Sequence, residues 1–158
     1  MKGRVFVVSG CLLLSAFFTF GQVSCEQPEL ITTVTVDSVT NCGDSYLTAN
    51  PVVVEEGLEI GKAYEIKATG GSSTAWSDGH AWFYSLQVTY RSLETNEFVT
   101  VTVGDGQSYD TPEEAEAANI GQSQVTAPLA EAKIFFWNGD SFCGDNSGVL
   151  EAELWTAP

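Results

Sequence analysis

The chain has 158 residues, 44% of them hydrophobic, and carries 21 acidic side chains against six basic ones for a net charge of −15. So acidic a balance speaks against nucleic acid and anionic membrane surfaces as partners. One histidine and four cysteines with no CxxC spacing give little from which to build a nucleophilic triad or a zinc site, so the chain is expected not to be an enzyme.

In chain order, Lys2 and Arg4 precede an apolar run, Val5–Phe20, followed by the small and weakly polar Gly21–Glu26. That is the order of a secretory signal peptide, expected to span residues 1–25, with cleavage between Gln22 and Gln27. The run is shorter than the roughly 20 residues of a membrane-crossing helix. A lipobox at Val8-Ser9-Gly10-Cys11 is the rival reading, which would leave Leu12–Phe20 as the start of the mature chain. Residues 26–158 then form a single domain, secreted, with four basic residues left against 21 acidic ones, net −17. Cys11 leaves with the signal, and Cys25 with it if the cut follows. In an exported protein the remaining Cys42 and Cys143 most simply pair, the other arrangement being two buried thiols.

The mature part is dominated by alternation. Ile31–Val39 is rich in β-branched residues and reads as a strand; Asn41–Pro51 is turn material. Ala63–Ala68 is a second strand, ended by Gly70-Gly71-Ser72-Ser73; Trp82–Arg91 is a third and Phe98–Val103 a fourth. Thr111-Pro112-Glu113-Glu114 starts one short helix, with a capping threonine, a first-turn proline and glutamates suited to the helix dipole, and Gly121 ends it. Ala132–Trp137 and Val149–Trp155 complete the set, the last with room for a bulge. Short strands separated by turn signals predict an all-β jelly roll or β-sandwich with one short helix.

Asn138–Gly148 joins two strong strands by about ten residues, longer than a bare hairpin needs. Asn138, Asp140, Asp145 and Asn146 supply hard oxygens, and glycines at 139, 144 and 148 let the backbone turn carbonyls inward. Calcium takes six to eight such oxygens. An ordinary Asx-rich turn has the same composition, and composition alone does not separate the two.

The order of strand, Asn/Asp, loop, Gly144-Asp145-Asn146-Ser147-Gly148 and alternating final strand resembles the end of the calcium-dependent galactose-binding lectins typified by the bacterial PA-I galactophilic lectin. Gly61–Gly70 is similar to that family's strand before its first binding loop. The likeness covers residues 57–156 in outline and 144–148 tightly. It implies a β-sandwich with one Ca2+ at its edge, on which sugar hydroxyls bind directly. Asp145 and Asn146 match the paired side-chain ligands. Asn138 or Asp140 is the earlier ligand, where the family has an aspartate at the register of Asn138. Phe142, and the backbone near Trp76, would lend carbonyls.

Tryptophan suits stacking on sugar C–H faces. Trp82, Trp137 and Trp155 lie in strands and read as core, while Trp76, in a loop with Asp78 and His80, is the ligand-binding candidate. His80 is out of register with the family's sugar-contacting histidine. The expected function is a secreted calcium-dependent carbohydrate-binding module, and the alternative is an extracellular structural or adhesive module with at most a structural calcium.

Overall fold

The computed structural model describes residues 27–74, 81–140 and 142–158. The expected leader and the candidates Trp76, Asp78 and His80 therefore lie outside the described residues. Ten strands, β1 (Leu30–Asp37), β2 (Cys42–Gly43), β3 (Val52–Val54), β4 (Tyr64–Thr74), β5 (Trp82–Phe83), β6 (Leu86–Ser92), β7 (Phe98–Val103), β8 (Ser123–Val125), β9 (Leu129–Gly139) and β10 (Gly148–Thr156), accompany one helix, α1 (Pro112–Asn119).

They build two sheets. The first runs β1-β10-β4-β5, with β8 also on β4; the second runs β2-β9-β6-β7, with β3 also on β9. All pairings are antiparallel except the two-residue β2–β9 pair. The all-β sandwich with one short helix is thus the observed architecture. Period-two alternation carries it: Val34 and Val36, Ile66 and Ala68, and Leu150, Ala152 and Leu154 are buried from the first sheet, and Leu86, Val88, Val103, Ile134 and Phe136 from the second. Buried Tyr64, Tyr84 and Tyr90 each place the hydroxyl in a hydrogen bond: Glu59 N–H donates to Tyr64, Ala127 N–H to Tyr90, and Tyr84 donates to the Glu151 carbonyl at 2.5 Å. Burial, then the Glu151 charge, pushes the Tyr84 phenol well above its ordinary pKa.

Several boundaries differ from the sequence reading. Trp82–Arg91 is two strands, because β5 pairs with β4 in the first sheet while β6 belongs to the second, so the chain crosses between layers at Tyr84–Ser85. Gly70–Ser73 does not end β4. Gly71, at φ +82°, leaves no room for a Cβ against the Val149 carbonyl, and its lack of a side chain lets β10 pair on past it. The bulge expected in the last strand falls on its partner: Glu151 pairs with Gly70 and Ala152 with Ala68, leaving Thr69 as the extra residue. The helix is as read, with the Thr111 hydroxyl accepting from Glu114 N–H at 3.2 Å and Pro112 in the first turn. Trp137 is buried, while Trp82 and Trp155 are only half-buried.

Candidate functional site

The bridge Cys42–Cys143 forms, with 5.7 Å between Cα atoms and a separation of 101 residues. It stitches the β1–β2 turn to the loop between β9 and β10. A closed loop of that length constrains the unfolded chain by about 4–5 kcal/mol in the entropy model.

The turn after β1 is locked first. The Asp37 carboxylate accepts from Val39 N–H at 3.0 Å and Thr40 N–H at 2.7 Å, and the Asn41 side chain accepts from Asp37 N–H at 2.9 Å. The Thr40 bond, opposed by burial and helped by Val39, lowers the Asp37 pKa. This fixes Ser38, fully buried, whose N–H donates to the Gly148 carbonyl at 3.1 Å. The Ser38 carbonyl receives both amide side chains of the facing loop, Asn146 Nδ2 at 3.1 Å and Asn138 Nδ2 at 3.4 Å. Asn146 Nδ2 also lies 3.3 Å from Cys42 Sγ. With its nitrogen engaged on that side, Asn146 directs Oδ1 the other way.

The loop itself runs Asp140, Phe142, then a single 3-10 turn over Cys143–Asp145. Phe142 N–H donates to Asp140 Oδ1 at 3.0 Å, and Asp140 N–H donates to the Gly43 carbonyl at 3.2 Å. The loop's far side is held by Thr74, whose N–H donates to the Ser147 carbonyl at 3.0 Å and whose hydroxyl meets Ser147 Oγ at 3.1 Å. Of the three loop glycines only Gly148 takes a positive φ, +95°, where a Cβ would strike the Ser72 carbonyl.

Four side-chain oxygens here are buried with no hydrogen-bond partner among the described residues: Ser38 Oγ, Asp140 Oδ2, Asp145 Oδ1 and Asn146 Oδ1. Asn146 is 6% exposed. Each such atom costs about 1–3 kcal/mol when nothing meets it. Among the described residues no basic side chain pairs with the two carboxylates, the one ion pair there being Lys133–Glu55. The donor set fits a hard divalent cation: carboxylate, amide and hydroxyl oxygens suit calcium and are poor partners for metals that want thiolate or imidazole. Among the described residues no three His, Cys, Asp or Glu side chains cluster, so the carboxylates at this end number two and the remaining oxygens come from amide and hydroxyl groups.

Of the residues picked out from sequence, Asp140, Asp145 and Asn146 contribute unpartnered oxygens at this end, with Phe142 between them. Phe142 is 67% exposed. Asn138 is buried, with its amide nitrogen spent on Ser38, and is not among the unpartnered set. Ser38 itself was not a candidate; its role rests on contacts 100 and 108 residues away in the chain, which no local pattern encodes. Asn138 and Asp140 also line a cavity of about 260 Å³ together with Ser73, Phe83, Ser85 and Gly106. No family model, no curated protein and no solved structure matches the chain.

Proposed function

We propose that the protein is a secreted, calcium-dependent carbohydrate-binding module. The observation that carries this reading is the set of unpartnered buried oxygens on Asp140, Asp145 and Asn146, set beside a cavity that Asp140 also lines. Asp140, Asp145 and Asn146 would hold the cation, with carbonyls from the loops near Phe142 and Trp76 completing its shell. Bound there, calcium supplies a Lewis-acidic point to which vicinal sugar hydroxyls can bind. The chain's own residues do the rest. Ser38 and Cys42 orient the Asn146 amide, and the cavity's mix of Ser73 and Ser85 hydroxyls with the Phe83 ring offers a sugar both hydrogen bonds and an apolar face. The likeness of Gly144–Gly148 to the galactose-binding lectins supports a galactose-like ligand. A disulfide and an N-terminal leader pattern both accord with an extracellular setting.

A second reading, a cation that only rigidifies the loop of a structural or adhesive module, is favoured by one observation: the Asn146 and Ser38 oxygens are sealed from solvent. A glycan array probed with and without a calcium chelator separates the two. Galactose-containing glycans retained with calcium and lost on chelation support the first reading. No retention in either condition, with calcium still raising the melting temperature, supports the second.

A further inference from the structure

We propose that the Cys42–Cys143 bridge is the positioning element of this cation site, so that its two-electron reduction by a dithiol switches cation binding off while the sandwich stays folded. The inference rests on the cation reading above and adds a control to it.

The bridge lies within the cation loop. Cys143 stands three residues after Asp140 and directly before Gly144-Asp145-Asn146, so Asp140, Asp145 and Asn146 are all within three positions of it. Asp140's carbonyl oxygen lies 3.4 Å from Cys42 Sγ and 3.7 Å from Cys143 Sγ. Bridged sulfurs carry no hydrogen, so these are packing contacts that both sulfurs make with one peptide. Asn146 Nδ2, at 3.3 Å from Cys42 Sγ, uses the same sulfur as part of the cradle that aims its Oδ1. Cys42 belongs to a strand of two residues, paired to β9 only through Cys42–Asn138 and Gly43–Gly139. So short a parallel pair has little hold of its own.

Reduction moves two electrons and two protons from a dithiol to the cystine; the S–S bond breaks, two thiols form, and the dithiol closes to its own disulfide. Two thiol sulfurs cannot remain at bonding distance and must part. Each then carries a hydrogen that seeks an acceptor, and the nearest is the Asp140 carbonyl. Both changes displace Asp140 and release Asn146. Neither sulfur belongs to the apolar cluster between the sheets, and the long β1–β10–β4 and β9–β6–β7 ladders do not pass through β2. Cys143 is half-buried, which leaves the bridge open to a small reductant.

The test is calorimetric titration of calcium into the mature protein before and after treatment with dithiothreitol, with far-UV circular dichroism recorded on the same samples and again after reoxidation. Expected is a rise in Kd of about 10- to 100-fold on reduction, the range typical when groups that orient metal ligands are lost, with an unchanged β spectrum and recovery on reoxidation. The Cys42→Ala/Cys143→Ala variant should match the reduced protein. If reduction unfolds the chain, the titration is repeated in sucrose, which favours the compact state. A Kd unchanged within twofold in the reduced, folded protein overturns the proposal. So does a reduced chain that stays unfolded in sucrose, because the bridge then holds the sandwich and not the site. An oxidised protein that binds no calcium is a different failure: it removes the cation reading first and this inference with it.

Discussion

Gly104-Asp105-Gly106, after β7, and Asn138–Gly148, between β9 and β10, are built from the same residue types. In the first turn the Asp105 carboxylate and the Asn119 amide that faces it close on neighbours. Asp105 accepts from the Tyr109 hydroxyl at 2.5 Å and from Gln107 N–H at 3.0 Å. Its N–H donates to Asn119 Oδ1 at 2.8 Å, and Asn119 Nδ2 donates to the Ala115 carbonyl at 2.8 Å. In the second, Asn146 is buried and bonded to Ser38 and Cys42, yet its Oδ1 has no partner among the described residues, and Asp140 and Asp145 each leave an oxygen in the same state. The contrast teaches that Asx-rich composition marks a turn, and that the balance of donors to acceptors marks a site. The Asp105 turn is complete as it stands. The Asp145 loop keeps three side-chain oxygens without a partner among the described residues.

The sharpest way to break that comparison is to truncate the buried asparagine on each side. Asn119→Ala removes two buried hydrogen bonds and leaves the Asp105 N–H without its acceptor, so it should cost about 2 kcal/mol whether or not calcium is present. Asn146→Ala removes an amide that already holds one unsatisfied oxygen. In chelator its cost should be well under that of Asn119→Ala, and in millimolar calcium the difference between the two should shrink or reverse. Chemical denaturation of both variants in each condition measures this. Equal, calcium-independent costs would make the two turns the same kind of structure.

A smaller effect sharpens the comparison through pH. Two anchoring carboxylates, Asp105 in the first turn and Asp37 in the β1–β2 turn that faces the second, are both held below their ordinary pKa of 3.8. For Asp37 the leading cause is the Thr40 N–H bond; for Asp105 burial pushes upward but is outweighed by the bonds from Tyr109, Gln107 and Asn119. A depressed folded pKa means the stabilisation is fully present above the unfolded value and is lost as pH falls through the folded one. Asp37→Asn and Asp105→Asn should therefore each flatten the acid limb of the stability curve below about pH 4, with little change near neutrality. Asp37 is exposed and Asp105 only half-buried, so the effects are small. Only Asp37→Asn should also weaken calcium binding, because Asp37 fixes the turn that carries Ser38.

Much of the sandwich could be read directly from the chain. β1, β6, β7, β9 and β10 announce themselves by alternation, and α1 by Thr111 and Pro112. What could not be read was set by partners distant in sequence. β2, β3 and β8 are two or three residues long and exist because β9 or β4 offers them an edge. Gly70-Gly71 looked like a strand end, but the approach of Val149 makes it strand interior. At the site, Asp140, Asp145 and Asn146 were visible as oxygen-rich loop residues, and the two cysteines as a pair. The difference between Asn138 and Asp140 was not visible, because it turns on Ser38, which draws Asn138's amide to itself while Asp140 keeps one oxygen without a partner among the described residues. Asn and Asp at alternate positions of a loop look interchangeable until the opposite wall is known.

The central claim is that the Asp140–Asp145–Asn146 oxygens hold a divalent cation, and titration of calcium into the oxidised mature protein tests it most directly, with Asp145→Ala run alongside. One calcium should bind per chain, and the melting temperature should rise by several degrees, corresponding to about 2.7 kcal/mol at 100 times Kd. Magnesium should substitute poorly, being smaller and bound to a near-ideal octahedron, and Asp145→Ala should abolish both the heat and the rise. A wild-type protein that gives no binding heat and an unmoved melting curve in millimolar calcium would contradict the account, and the carbohydrate reading would fall with it.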